Sequence, residues 1–240
     1  MGSKYVITEE RGQKGFSGGH NKDQKFPREV LDQQEVARLM AATGGGARGD
    51  RNRALVAVLF RAGLRLSEAI GSEGEKDPDD PSRWVRYPRP GLRVHDIDLR
   101  AGTLNVVEGK GGFQRVVGLD EGALLYLERW INRRQKLGLP AKGRVFVQFD
   151  GSAMVDSSVR QLFARAGKRA GIAKRVHPHG LRHSHAALMA WSGTPVHVIQ
   201  RQLGHKSLDT TARYIGEVAP RQLVQAVNEI EWESKGEAEG

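Results

Sequence analysis

Glycine and proline divide the C-terminal third of this chain into short segments, and this division limits what the region can fold into. Gly193, Gly204 and Gly216 are suited to ending helices, and Pro195 and Pro220 are suited to first helical turns. The segments between them are therefore predicted to be helical. We place these helices at about 157–170, 179–191, 195–202, 207–215 and 220–231.

The predicted helix from residue 179 carries a histidine and an arginine one turn apart. The chain reads H-P-H-G-L-R-H-S-H from His177, so His179 and Arg182 share a helix face. A guanidinium group presents five donors in a rigid plane that matches phosphate oxygens. A salt-bridged arginine and a core histidine would give the same pattern, so both interpretations stay open at this point.

A metal site is a further interpretation of the same stretch. His179 and His183 stand at i and i+4, which is a spacing that metal ligands adopt on a helix. No carboxylate lies between them, so the H-E-x-x-H pattern is absent, and the chain has no cysteine. The lack of cysteine also excludes disulfides and thiol nucleophiles. We therefore expect no metal here.

A histidine and a tyrosine follow within one short stretch, which reads L-G-H-K-S-L-D-T-T-A-R-Y from Leu203. His205 and Tyr214 are nine residues apart, and the polar residues after His205 suit a helix start. A lone tyrosine on a helix is usually a packing residue. Because the unperturbed pKa of tyrosine is about 10, Tyr214 needs a cationic site to act as a phenolate nucleophile.

Two cationic residues lie far upstream of this region. Arg65 follows Gly63-Leu64 at the start of a predicted helix, where backbone N–H groups and the helix dipole favour anions. Lys110 lies in Gly109-Lys110-Gly111-Gly112, a hairpin signature, and so at a tip suited to a mobile cation or proton donor. A solvated arginine and a turn lysine are the plain alternatives.

The rest of the chain adds further helices and one small sheet. A capping box at Asp32-Gln-Gln-Glu35 begins a helix, and Leu55, Val58 and Leu59 form the inner face of another. Further helices are predicted over about 51–61, from near 64 and over about 121–137, with strands at 94–97, 103–107 and 114–117. We therefore expect an α+β fold, mainly α-helical with a small three-stranded antiparallel sheet.

The charge balance favours a polyanionic partner. Lys and Arg number 38 against 28 Asp and Glu, giving a formal charge of +10. A merely soluble basic protein would show the same balance. No apolar run reaches the roughly 18–20 residues of a membrane span, and the N-terminus lacks a hydrophobic signal core. We expect a cytoplasmic protein that does not bind membranes and is nucleoid-associated when bound to DNA.

The order of these motifs along the chain resembles the tyrosine recombinase (phage-integrase-like) family. The motifs are R-A-G-L-R-L-S-E, a G-K-G hairpin, H-x-x-R, L-G-H and Y, and the resemblance covers about residues 30–232. The C-terminal block is highly specific to that family. The resemblance implies the DNA breaking-rejoining enzyme fold. It also implies site-specific recombination through a covalent 3′-phosphotyrosyl intermediate, with no metal, ATP or other cofactor.

The resemblance also implies roles for the residues that match the family's motifs. Arg65 and Arg182 match the arginines that hold the non-bridging oxygens of the scissile phosphate. His205 matches a hydrogen-bond donor to that phosphate, and Tyr214 matches the nucleophile. These four are the core of the implied site.

Four more positions match residues that assist the reaction. Lys110 matches the hairpin lysine that protonates the departing 5′ oxygen, and His179 matches the group that takes or shares the tyrosine proton. Glu68 matches an acidic residue that orders the site without reacting. His183 matches a position whose role is structural.

Residues 71–91 depart from the family pattern, because they are longer than the usual link to the first strand. The first half is acidic and Pro-rich, and the second is basic and aromatic. We expect a long loop insertion, either disordered or in contact with DNA, although its acidic half argues against the whole loop lying on phosphates. The candidate DNA contacts are Arg83, Trp84, Arg86, Tyr87 and Arg89.

The expected organisation is a flexible leader at 1–27 followed by a catalytic domain at 28–240. The family's N-terminal core-binding domain is expected to be absent, either through excision or because the chain is a short natural member. A tail helix at 219–232 is amphipathic and is expected to dock on a neighbouring protomer or on its own core. We expect a monomer in solution and a homo-tetramer on double-stranded DNA.

Other functions stay open at this point. A type IB topoisomerase-like activity would use the same catalytic set to relax DNA without sequence preference. A DNA-binding protein with an unassembled pocket would bind but not cleave. A metal-dependent hydrolase would lose its activity in EDTA.

Overall fold

The computed structural model describes residues 29–107 and 114–205. Several predicted features lie outside the described residues. These are the 1–27 leader, Lys110, Tyr214, the helices at 207–215 and 220–231, and the 219–232 tail. Within the described ranges, no helix is long and apolar enough to cross a membrane.

The described chain contains seven α-helices, one 3-10 helix and two small antiparallel sheets. The α-helices are α1 Gln33–Ala41, α2 Gly46–Arg61, α3 Leu66–Ile70, α4 Glu121–Lys136, α5 Asp156–Arg169, α6 Pro178–Trp191 and α7 Val196–Leu203. The strands are β1 Glu75–Lys76, β2 Trp84–Arg86, β3 Ile97–Asp98, β4 Thr103–Val107 and β5 Gln114–Gly118. The expected α+β class, with one three-stranded antiparallel sheet, is confirmed.

Helix α1 begins where the sequence predicted. Asp32 Oδ1 accepts a hydrogen bond from the Glu35 backbone N–H at 2.7 Å, and Glu35 Oε2 accepts one from the Asp32 N–H at 2.9 Å. These two bonds satisfy donors that the first helical turn leaves open. The capping box therefore fixes the start of α1.

Helix α2 begins at Gly46 and not near Arg51, so the predicted start was too late. Glycine in this stretch indicated a break, but tertiary contacts hold the first turns in place. Asp50 is buried and forms ion pairs with Arg53, and with Arg129 and Arg133 of α4. Pairing to α4 stabilises helical turns that local propensity alone disfavours.

The hydrophobic core is built around α2. Leu55, Val58 and Leu59 are fully buried, as predicted for its inner face. Helices α4 and α6 pack on α2. Trp130 of α4 is also fully buried, and its Nε1 donates to the Val145 carbonyl at 2.9 Å. A buried indole N–H thus finds an acceptor, as such groups usually do.

The three-stranded sheet has the order β3-β4-β5 with antiparallel pairing. Leu104 pairs with Val117, and both are buried against the core. The predicted strand at 94–97 was wrong over most of its length, since Val94–Asp96 forms a 3-10 helix. The reason is local, because the Asp96 side chain accepts a hydrogen bond from the Arg93 N–H at 2.8 Å.

Residues 71–91 form a β-hairpin, so the prediction of a long loop was wrong over its arms. Strands β1 and β2 pair antiparallel, with Glu75 opposite Arg86. At the base, Ser72 and Arg89 exchange two backbone hydrogen bonds of 3.0 and 2.9 Å. We call these residues the 71–91 hairpin. Backbone pairing and side-chain contacts across the arms supply the order that composition did not reveal.

Candidate active site

The turn before α3 places Arg65 and Glu68 side by side. Gly63 has φ +65°, and a Cβ there would lie 2.5 Å from Cδ2 of His185, so only glycine fits. The Arg65 backbone N–H donates to Glu68 Oε2 at 2.8 Å, and Arg65 Nη1 donates to Oε1 at 2.8 Å. The R-A-G-L-R-L-S-E motif thus folds back on itself into one ion pair.

Four arginines surround the Glu68 carboxylate, whose side chain is buried. Nitrogen atoms of Arg65, Arg115, Arg89 and Arg182 lie 2.8, 2.8, 3.4 and 3.9 Å from its oxygens. Burial raises the pKa of Glu68, but hydrogen bonds and charge from Arg115, with the charges of Arg65 and Arg182, lower it to about 2. One carboxylate can neutralise only one of the four, so the cluster retains positive charge for an anion.

Arg115 is a member of this cluster that sequence reasoning missed. It lies on β5, and its Nη1 and Nη2 donate to the two Glu68 oxygens at 3.1 and 2.8 Å. Its Nε donates to the Gln202 carbonyl at 3.4 Å. Alternate residues of a strand face the same side, so Arg115 lies on the same face as buried Val117. An arginine on the core-facing side of a strand was the signal in the sequence that could have identified it.

Arg182 connects two turns of the site. Its residue is 3% exposed, and its Nη1 and Nη2 donate to the carbonyls of Gly63 and Leu203 at 2.5 and 2.7 Å. The buried charge is thereby hydrogen-bonded to the turn before Arg65 and to the last residue of α7. This one side chain holds together segments that are far apart in the chain.

The turn after α7 carries His205. Gly204 is left-handed, with φ +66° and ψ +46°, and its N–H donates to the Gln200 carbonyl at 2.8 Å. A Cβ on Gly204 would lie 2.7 Å from Nε of Arg115, so the turn packs directly on the arginine cluster. The Gln200 side chain donates to the His205 carbonyl at 3.1 Å.

The environment of His205 disfavours its protonated form. Burial and then the charges of Arg182, Arg65, Arg115 and His179 lower the pKa of His205 to about 4. The imidazole is therefore neutral near pH 7. A neutral ring keeps one N–H donor, which suits hydrogen bonding to an anion.

A cleft of about 980 Å³ opens beside these groups. Arg65, His179 and Arg182 line it, and His179 lies exposed in the first turn of α6. The structure thus brings together the predicted residues Arg65, Glu68, His179, Arg182 and His205. Lys110, in the connection between β4 and β5, and Tyr214, which follows α7 in the chain, lie outside the described residues.

The other two histidines of α6 are buried. His183 was expected to be structural, and it lies inside the helix packing. His185 packs on Gly63, and burial followed by the charges of Arg61 and Arg182 lowers its pKa to about 4. Among the described residues, no group of three or more His, Cys, Asp or Glu side chains is placed to hold a metal ion.

The five candidate DNA contacts of the 71–91 hairpin separate into two groups. Arg86, Tyr87 and Arg89 line the cleft. Arg83 lies outside that lining and pairs with Asp77 at 3.7 Å. Trp84 is also outside it, with Lys76 5.2 Å from its ring centre and the Tyr87 ring 6.3 Å away.

Comparison with known proteins is consistent with this geometry. The model of the phage integrase family matches residues 90–219, more than half of the chain. The tyrosine recombinase XerD of Mycobacterium leprae (strain TN) is 33% identical over 211 residues, which cover 83% of this chain and 58% of that protein. The chain thus spans less than two thirds of this relative's length.

Solved structures of similar fold include recombinases. The crystal structure of XerA recombinase has a TM-score of 0.69 and 26% identity, covering 87% of this chain and 68% of that one. The XerH site-specific recombinase, solved in a post-cleavage complex with palindromic difH substrate, has a TM-score of 0.63 and 22% identity, covering 84% and 53%. The latter likeness shows the fold alone.

Proposed function

Because the chain belongs to the phage integrase family of tyrosine recombinases, we propose that it carries out site-specific cleavage and rejoining of DNA through a covalent phosphotyrosyl intermediate. This membership confirms the family that the sequence motifs predicted. We assign the catalytic domain to residues 28–240.

The cluster around Glu68 is the observation that carries the proposal. Four arginines share one buried carboxylate, and three of them, Arg65, Arg89 and Arg182, line an open cleft. When a nucleophile adds to a phosphodiester, negative charge builds on the equatorial oxygens of the pentacoordinate phosphorus. Fixed guanidinium groups stabilise that charge without reorganisation. In this proposal Arg65 and Arg182 contact the phosphate, and Glu68 holds the arginines in position.

The proposed reaction balances within the DNA and the protein. The Tyr214 oxygen forms a bond to phosphorus while the bond from phosphorus to the 5′ oxygen breaks. His179 accepts or shares the tyrosine proton, and Lys110 protonates the departing oxygen. The phosphodiester energy is kept in the 3′-phosphotyrosyl bond, so rejoining needs no ATP. The arginines take the part that divalent cations play in other phosphoryl-transfer enzymes.

His205 complements the arginines in this scheme. Its neutral ring can donate a hydrogen bond to a non-bridging oxygen without adding charge to the free site. A bound phosphate would offset the arginine charges that lower the pKa of His205. We therefore propose that DNA binding raises the pKa of His205 and strengthens its hydrogen bond to phosphate.

Double-stranded DNA is the proposed partner. The net charge of +10 and the arginine-lined cleft support it. We further propose a homo-tetramer on DNA in which the 219–232 tail docks on the neighbouring protomer, and a monomer in solution.

A nicked suicide substrate tests the proposal. Cleavage near the nick releases a short fragment, so rejoining fails and a covalent protein–DNA adduct accumulates. With a pool of nicked duplexes of random sequence, wild type should form an adduct that survives SDS. Tyr214→Phe, which lacks only the hydroxyl, should form none. Equal adduct from both proteins would refute Tyr214 as the nucleophile, and DNA binding without adduct from wild type would leave a binding protein only.

A further inference from the structure

The base of the 71–91 hairpin is fixed next to the arginine cluster. Besides the two backbone bonds between Ser72 and Arg89, the Leu92 N–H donates to the Ala69 carbonyl of α3 at 3.1 Å. Arg89 also places Nη1 3.4 Å from Glu68. The base of the hairpin is therefore anchored to α3, the helix that carries Glu68.

Both arms of the hairpin line the cleft, with Glu75 in the first arm and Arg86 and Tyr87 in the second. Asp156 and Arg160 of α5 line it as well. Arg65 and Arg182 line the same cleft. A phosphate held by Arg65 and Arg182 would therefore share the cleft with Arg86.

The ion pair of Arg86 is of a kind that a phosphate can replace. Arg86 pairs with Glu75 across the hairpin, and their side chains are 77% and 50% exposed. An exposed pair of this kind contributes little to stability. A DNA phosphate offers the guanidinium an equivalent acceptor and releases counterions from the duplex. The exchange of carboxylate for phosphate therefore costs the hairpin little.

Arg83 provides a natural comparison on the same hairpin. Its side chain is 74% exposed and pairs with Asp77, so its exposure and type of partner match those of Arg86. It differs in lying outside the cleft lining. Replacing either arginine therefore removes the same charge from an exposed side chain, while the two differ in position relative to the cleft.

From this difference we propose that Arg86 is a DNA-backbone-binding residue that holds a phosphate beside the scissile one, exchanging Glu75 for it when DNA enters the cleft. The inference rests on the proposed function for the identity of its ligand, and deepens it by assigning the 71–91 hairpin to the DNA interface. Arg86 takes no part in the chemical step.

Salt-dependent binding tests the proposal in the full chain. The probe is a labelled duplex of random sequence, because phosphate contacts carry no sequence information. Arg86→Gln should lower the slope of log affinity against log salt concentration by about 0.9, the value for one lost phosphate contact on B-DNA. Arg83→Gln should leave the slope unchanged, and Arg86→Lys should restore most of it. Equal slopes for Arg86→Gln and Arg83→Gln would overturn the assignment.

Substituting the acidic partners of the two arginines gives a second comparison, in which DNA binding should become tighter. Glu75→Gln removes the competitor for Arg86 and should tighten binding more than Asp77→Asn, which frees Arg83. Equal gains would show that only overall charge matters and would count against the proposal.

The adduct assay separates this inference from the proposed function. Arg83→Gln, outside the cleft, should reach half-maximal adduct at the wild-type protein concentration, whereas Arg86→Gln should need a higher concentration. Equal concentration dependence for the two variants would contradict a binding role for Arg86. If wild type binds duplex but forms no adduct, the recombinase proposal fails, while the comparison of Arg86 with Arg83 still decides the binding role.

Discussion

The guanidinium group of Arg115 meets the Glu68 carboxylate through two parallel hydrogen bonds, Nη1 to Oε1 at 3.1 Å and Nη2 to Oε2 at 2.8 Å. This fork-to-fork geometry is the strongest form of the arginine–carboxylate pair. It joins β5 to α3, and the contact of Arg115 with Gly204 adds the turn that carries His205. The pair therefore aligns three separate parts of the candidate site.

Replacing Glu68 with glutamine should destabilise the fold strongly. The substitution keeps the shape of the side chain but removes the charge that the buried Arg182 and the partly buried Arg115 face. Breaking one partner of a buried ion pair costs about 3–5 kcal/mol. Urea denaturation should show this loss in the free energy of unfolding.

The exposed carboxylate Glu75 serves as the control for this measurement. Glu75→Gln removes the same charge from a solvent-exposed pair and should cost less than about 1 kcal/mol. Similar losses for the two variants would contradict the role given to Glu68.

Alanine substitutions of Arg65 and Arg182 should have similar effects on activity but different effects on stability. Both substitutions to alanine should reduce adduct formation by about 100-fold or more, as removal of one transition-state donor does. Only Arg182→Ala should also destabilise the protein markedly, because it leaves the buried carbonyls of Gly63 and Leu203 without their donors, at about 1–3 kcal/mol each.

The side chain of Arg65 is 36% exposed, so its removal should cost little stability. Thermal unfolding measures the loss of stability in both variants, and the adduct assay measures their loss of activity. A folded, stable Arg182→Ala protein would show that its hydrogen bonds to the two turns are dispensable.

Gly204→Ala should impair the site through Arg115. A left-handed alanine costs roughly 1–2 kcal/mol, and its Cβ would also lie 2.7 Å from Arg115 Nε, which must then shift away from Glu68. We expect slower adduct formation as well as lower stability.

Gly193→Ala is the matched control, since Gly193 has φ +74° and no atom within 4 Å of an added Cβ. It should lose stability by a similar backbone cost while keeping its adduct rate. Equal adduct rates in the two variants would show that the contact between Gly204 and Arg115 has no effect on function.

Stability should fall as the pH is lowered from about 6.5 towards 4. The pKa values of His185 and His205 are lowered to about 4 in the folded protein, so the unfolded chain binds protons first. Their contribution is complete above pH 6.5 and is lost as the pH falls to the folded value. Glu68, with its pKa lowered to about 2, contributes to acid unfolding only below about pH 4.5.

His185→Asn tests this assignment, because asparagine cannot take up a proton in this range. It can also retain the hydrogen bond that the His185 ring makes to the Phe60 backbone. The variant should be less stable at pH 8 but should show a shallower decline between pH 6.5 and 4. A decline as steep as that of wild type, measured by urea denaturation at each pH, would rule His185 out as a source.

Chelation should leave the reaction unchanged if arginines alone stabilise the phosphate. Adduct formed by wild type in EDTA should equal that formed in Mg²⁺ at the same ionic strength. A loss of adduct in EDTA would point to a metal-dependent hydrolase and against the proposed mechanism. Matching the ionic strength matters, because salt alone weakens DNA binding.

Local features were predictable because they depend on neighbours in the chain. The capping box of Asp32 and Glu35, the α6 spacing of His179 and Arg182 and the three-stranded sheet follow from short-range geometry. The start of α2 and the arms of the 71–91 hairpin were not predicted. Both are held by contacts between residues distant in sequence or across paired strands, which outweigh glycine and proline content.

The residue types of the site, their order and the family they indicate were determined by the sequence alone, because the chemistry of a guanidinium, an imidazole or a phenol belongs to the side chain itself. Only the tertiary structure decided that Arg115, 47 residues from Glu68, shares its carboxylate, and that Arg182 reaches the Gly63 carbonyl 119 residues away. It also decided that His205 is neutral and that Arg86 faces the cleft while Arg83 does not. Burial and the proximity of charges are set by long-range packing, which no local pattern encodes.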